Sequence, residues 1–105
     1  ILNFSPIGLF YRAFAAVMDG LDVVMTLPAP GVAPAGLAST GAPVFNTPWT
    51  VLHTPALTLP VALHEGLPVG VQLVGRIDDD ARLLAVAARA EAAFDFRSEP
   101  MPCRV

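Results

Sequence analysis

The chain has 105 residues and a formal net charge of -3, with 54% hydrophobic and only 14% charged residues, against about 25% charged in ordinary soluble domains. That length suffices for one domain and leaves none for a second, and so little charge implies a surface that expects cover. The six basic residues are all arginines, scattered at 12, 76, 82, 89, 97 and 104. With no basic run there is no phosphate-tracking stripe, which excludes nucleic acid as an expected partner.

Ser5 and Pro6 are suited to an N-cap and a first helical position. Ile7, Phe10, Phe14, Val17 and Leu21 then recur at helical spacing with Gly20 as the stop, which predicts a helix with one apolar stripe. Asp22 precedes a short uncharged run, Val23 to Thr26, whose β-branched content and abrupt end at Leu27-Pro28 predict a buried strand. Pro28 to Ser39 carries turn chemistry and few anchors, and is expected to be loop. From Pro43 to His53 the spacing is again helical, with Phe45, Trp49 and Leu52 on one face. Pro48 lacks an amide hydrogen, so the regular helix starts either before it or only at Pro48 with Thr47 as the cap.

No Asp, Glu, Lys or Arg occurs between Val23 and His64, yet this stretch holds seven of the prolines. They break every window of the ~20 apolar residues that a membrane helix needs, so no membrane partner is expected. Leu57, Leu59, Val61 and Leu63 alternate with Ala56, Thr58, Pro60 and Ala62, and Val69, Val71 and Leu73 alternate with Gly70, Gln72 and Val74. This predicts two strands joined as a hairpin through the five residues 64–68. The small-sided face, with Ala56, Thr58, Ala62 and Gly70, lets a helix or another backbone approach closely. Pro60 belongs at a bulge, a strand start or an outward edge. Asp78, Asp79 and Asp80 are placed to cap a long alanine-rich helix whose stripe is Leu83, Ala87, Ala90 and Phe94. Residues 98–105 are expected to be a tail, which gives a domain over 1–97.

Chemistry-bearing groups are sparse. The chain has no lysine, two histidines and one cysteine, Cys103, so neither an internal disulfide nor a cysteine metal cluster is available. A reducing cytoplasm is the expected location. Ser5 is accounted for as a cap, Ser39 sits in the loop and Ser98 in the tail. Neither histidine stands near a carboxylate except His64 beside Glu65. Two histidines eleven positions apart and an aspartate run do not form a metal-ligand spacing, and no glycine-rich phosphate loop occurs. The expectation is no catalytic residue, no metal and no cofactor within this chain.

Several stretches nevertheless match one family in order. Leu21-Asp22-Val23-Val24-Met25-Thr26-Leu27-Pro28, Thr40-Gly41, Phe45-Asn46, Pro55-Ala56-Leu57 and, above all, Gly66-Leu67-Pro68-Val69-Gly70-Val71-Gln72-Leu73-Val74-Gly75 cover about nine-tenths of the sequence. Together they resemble the closing segment of amidase signature hydrolases. The resemblance implies an α/β fold, the C-terminal part of an α/β/α mixed sheet, represented here by a helix, a strand, a short helix, a β-hairpin and a long helix. It implies amide hydrolysis through a serine, a second serine in a cis peptide and a lysine, all from an earlier region. Because the first residue is Ile1 and no lysine or Ser-Ser pair is present, the expectation is a C-terminal segment that is inactive alone. Its partners would be the remainder of the amidase domain and a small-molecule amide.

By the same resemblance Thr40, Pro43 and Thr47 face substrate, with Asn46 and Thr50 behind them. These small polar groups equally suit backbone capping. Family members commonly have glycine two residues before the Pro-Ala step, where this chain has His53, either a boundary histidine or one that narrows the substrate channel. Gln72 is expected to satisfy neighbouring backbone rather than touch substrate. The same family includes tRNA-linked glutamine amidotransferases, so a segment of the catalytic subunit of a glutamyl-tRNA amidotransferase is the alternative, and a stand-alone α/β binding module the rival from another class.

Overall fold

In the computed structural model, which describes residues 6–98, the elements run α1 (Pro6–Val17), β1 (Val24–Thr26), α2 (Thr47–Leu52), β2 (Ala56–His64), β3 (Leu67–Val74) and α3 (Asp80–Phe94). The predicted Ser5 cap, Cys103 and all of the predicted tail beyond Ser98 lie outside the described residues. The element order is the one expected from the sequence.

The three strands form one sheet in the order β1-β3-β2, with both pairings antiparallel. Gln72 lies opposite Thr26 on one side and Thr58 on the other, and Leu73 lies between Met25 and Leu57. Alternation therefore puts Leu57, Leu59, Val71 and Leu73 on one face. α3 covers that face, and Leu59, Leu73, Leu83 and Ala87 form the buried cluster with Val23 and Ala90 packed against it. The predicted stripe is thus packed over Leu83, Ala87 and Ala90, while Phe94, its last expected member, is 42% exposed. Gly70 is a close-approach position, because an added Cβ would lie 2.7 Å from Thr58 Cγ2 and 2.8 Å from the Leu59 carbonyl oxygen. The register shifts between Pro60 and Ala62, so Pro60 sits at a bulge on the outer strand β2, where its missing N–H and the extra residue are tolerated.

Three sequence expectations need correction, and one open boundary is fixed. The hairpin connection is not five residues but two, Glu65 and Gly66, both left-handed at φ 52° and 79°. That is the backbone of a tight turn whose twist matches the strands, so pairing continues out to His64 and Leu67. α2 begins at Thr47 with Asn46 in the cap position and Pro48 in the first turn, where its missing N–H has no intrahelical partner to lose. Asp79 takes the N-cap position of α3 and Asp80 its first turn, as the helix dipole favours, but Asp79 makes no side-chain capping bond, and its carboxylate instead pairs with Arg82 at 3.2 Å.

The largest correction concerns burial. α1 contains no buried residue, and its predicted stripe lies open, with Ile7 at 55% and Val17 at 61% exposure. β1 was expected to be a buried strand, yet it is an edge with Met25 62% exposed. Besides the α3 cluster, the fully buried side chains are Met18, Leu52 and Val74. α1 is held by a few specific contacts. The Phe14 and Trp49 rings lie 6.0 Å apart, Tyr11 donates to the Val51 carbonyl at 3.4 Å, and the Arg76 guanidinium donates to the Met18 and Leu21 carbonyls.

Candidate functional site

The face of the sheet opposite α3 carries Gln72, which is 5% exposed. Its Nε2 donates to the Phe45 carbonyl at 3.2 Å and to the Leu27 carbonyl at 3.4 Å, joining the end of β1 and the approach to α2 across the centre of the sheet. A buried amide would otherwise lose its water partners without replacement, so this bond fixes where α2 lies. The expected backbone role of Gln72 is what the geometry has.

α2 then walls a cavity of about 490 Å³ with Asn46, Trp49, Thr50, His53, Thr54 and Gln72 among its lining. A second cleft of about 640 Å³ lies between Pro28–Pro34 and Thr40–Pro43, with Asn46 at its other side. Asn46 is common to both, and its Nδ2 donates to the Pro28 carbonyl at 3.1 Å, tying the proline-rich loop to the start of α2. Of the residues expected along the substrate pocket, Thr40, Pro43 and Asn46 come together at the loop cleft, while Asn46 and Thr50 line the α2 cavity. Thr47 belongs to neither lining: its hydroxyl donates to the Pro43 carbonyl at 3.0 Å. The Thr50 hydroxyl donates to the Asn46 carbonyl at 3.2 Å.

Trp49, Thr54 and Ala56 complete the cavity wall and were not singled out as site residues by sequence reasoning. Their signal was the apolar face of α2 and the Pro-Ala step, which locate the elements but not their convergence. His53 was singled out and does line the cavity. It follows α2 in the left-handed region at φ 55°, with its N–H directed to the Thr50 carbonyl and the Thr54 N–H to the Trp49 carbonyl. These are the two bonds of a Schellman closure, in which the left-handed residue is usually glycine because a Cβ crowds the following carbonyl. The Trp49 indole nitrogen is buried without a hydrogen-bond partner.

Among the described residues no carboxylate or arginine lines either cleft, so His53 is the one ionisable group there. His64 stands at the far end of β2, exposed and 4.0 Å from Glu65. The Ser39 Oγ accepts the Gly41 N–H at 3.0 Å, a loop-closing role. Among the described residues no group of three His, Cys, Asp or Glu is placed to hold a metal ion, and no helix is long and apolar enough to cross a membrane. The linings combine small polar side chains with proline and tryptophan rings. Among the described residues no serine, cysteine or lysine lines either cleft.

No protein-family model matches the chain. The A subunit of the glutamyl-tRNA(Gln) amidotransferase of Parvibaculum lavamentivorans is 35% identical over 101 residues, covering 89% of this chain and 20% of that protein. Its counterpart in Synechococcus sp. strain CC9902 is 38% identical over 99 residues, covering 87% and 20%. This chain therefore spans about one fifth of the length of the curated relatives it matches. Among solved structures, a crystal structure of amidase aligns with TM-score 0.67 and 28% identity over 79% of this chain and 23% of that one. The A subunit of the Thermotoga maritima glutamyl-tRNA(Gln) amidotransferase aligns with TM-score 0.58 and 25% identity over 70% and 18%. The chain is thus similar in fold to part of an amidase, and in sequence to about one fifth of the A subunits of glutamyl-tRNA(Gln) amidotransferases.

Proposed function

We propose that this chain is the C-terminal segment of an amidase signature hydrolase and supplies scaffold and pocket wall for cleavage of a linear amide. In this reading the described residues up to Arg97 complete the larger α/β domain. Thr40, Pro43, Asn46 and Thr50 stand along the substrate channel, with Thr47 set behind them on the Pro43 carbonyl, and the reactive serine, the cis-peptide serine and the lysine base come from the remainder of the domain. That remainder and the amide substrate are the partners. No cofactor is required and the setting is cytoplasmic.

The observation that carries the reading is the pairing of ordered similarity to one fifth of an amidotransferase chain with an apolar α1 that has nothing buried. A helix with so open an apolar face is stable when another layer covers it. The absence of lysine fits a wall rather than a reaction centre. The same two features count against a free-standing binding module, which would have to bury its own core.

A second reading keeps the segment but changes the parent to the A subunit of a glutamyl-tRNA amidotransferase. The names of the curated relatives favour it, while the higher TM-score of the amidase favours the first. Assay of the isolated 105-residue polypeptide tests what the two share. No amide turnover and no stoichiometric labelling by a serine-reactive phosphonate are expected, and either signal would overturn the reading. In the complete protein that carries this sequence, labelling and hydrolysis of simple linear amides are expected. Ammonia transfer dependent on a charged tRNA would select the second parent.

A further inference from the structure

We propose that His53 is a specificity-determining residue of the α2 cavity, donating an imidazole N–H to an acceptor oxygen at the end of a small amide remote from the bond that is cut. The inference rests on the amidase reading for the nature of the ligand and on the cavity's own chemistry for the contact.

Donor hydrogens around this cavity are almost all committed to main-chain carbonyls. Gln72 gives its amide to Leu27 and Phe45, Asn46 gives its amide to Pro28, and Thr50 and Thr54 give their hydroxyls to Asn46 and Trp49. The Trp49 N–H is sealed from solvent. Apart from the second amide hydrogen of Asn46, what these side chains still present to the cavity is mainly acceptor lone pairs. His53 differs from them. It is exposed, lines the cavity, and its ring makes no hydrogen bond to any described residue.

Its backbone sharpens the point. At φ 55° glycine is the unstrained choice, so a histidine at this position is held against local preference, at the wall of a cavity with few free donors. An exposed donor exchanges a water for the ligand's oxygen, so the discrimination it supplies is that of one net hydrogen bond. The chemical class recognised is therefore a short linear amide with a carbonyl-type oxygen near its far end, preferred over the alkyl amide of equal length.

The test uses the complete protein that carries this sequence, with 4-oxopentanamide and pentanamide as the matched pair. The expected ratio of kcat/KM is roughly 3- to 10-fold in favour of the oxo compound, the range of one net neutral hydrogen bond. His53→Gly, which relieves the left-handed strain and so keeps the fold, should bring the ratio to about one. His53→Asn tolerates the same backbone and keeps a donor, and should retain part of the preference. Equal rates in the unmodified protein, or an unchanged ratio in His53→Gly, overturn the inference while leaving the amidase reading intact.

Should neither amide be hydrolysed, the amidase reading fails and binding decides. The histidine ring resonance that disappears in His53→Gly is then followed during titration with each compound. A saturable shift with 4-oxopentanamide alone supports the contact, and no shift overturns it.

Discussion

Gln72 donates its side-chain amide to the main-chain carbonyl of Phe45 at 3.2 Å, a bond across 27 residues of sequence that fixes α2 over the centre of the sheet. Gln72→Leu keeps the volume and strips the Phe45 and Leu27 carbonyls of this partner. The expected cost is about 1 to 3 kcal/mol, read in the complete protein as a lower urea midpoint at unchanged slope.

At Gly70 the sheet has no room for a methyl group, with Thr58 Cγ2 and the Leu59 carbonyl oxygen both under 3 Å from where it would sit. Gly70→Ala should destabilise by about 1 to 3 kcal/mol through overpacking. Adding Thr58→Ser should recover only part of the loss, because the carbonyl cannot withdraw as a side chain can. Full recovery in the double variant, measured by thermal unfolding, would contradict the backbone contact.

His53→Gly makes a prediction about stability that is independent of any ligand. Removing a side chain from the left-handed position after α2 should stabilise the protein by about 1 kcal/mol. A fall in melting temperature would mean that the ring is held by contacts outweighing the strain.

Arg76 reaches from the end of β3 to the Met18 and Leu21 carbonyls, where α1 ends and nothing in the helix accepts burial. Arg76→Met should therefore free α1 before it unfolds the sheet. Hydrogen exchange should rise roughly 10-fold or more across residues 6–17, as expected for loss of a charge-assisted contact of about 1.5 to 3 kcal/mol, while β3 keeps its protection.

The isolated 105-residue polypeptide, with the apolar side of α1 uncovered, should bind a hydrophobic dye and melt over a broad range. A sharp, monomeric, dye-free transition would instead support the self-contained module.

What the sequence disclosed follows from what periodicity measures. The alternation of Leu57, Leu59, Val71 and Leu73 separated the two faces of the hairpin without saying which one α3 covers, and the spacing of Leu83 and Ala87 named the face of α3 that packs. The same logic found the stripe of α1 but not its exposure, because spacing says which side is apolar and not whether anything lies against it. The hairpin came out too long in the sequence reading because Glu65 takes a left-handed conformation that a sequence usually announces only with glycine or asparagine. At the candidate site, the neighbourhood of Asn46 and Thr50 was legible from the stretch 40–50. Their meeting with Gln72 was not, since it depends on a bond between elements far apart in the chain.

The two borders of the sheet have opposite prospects. Along β2 the ring of Pro60 and the irregular step to Ala62 deny a newcomer an in-register ladder, whereas β1, three residues with Met25 facing out, carries no such guard. An additional strand would therefore find a continuous ladder beside Val24–Thr26, though only three residues long, and an interrupted one beside β2.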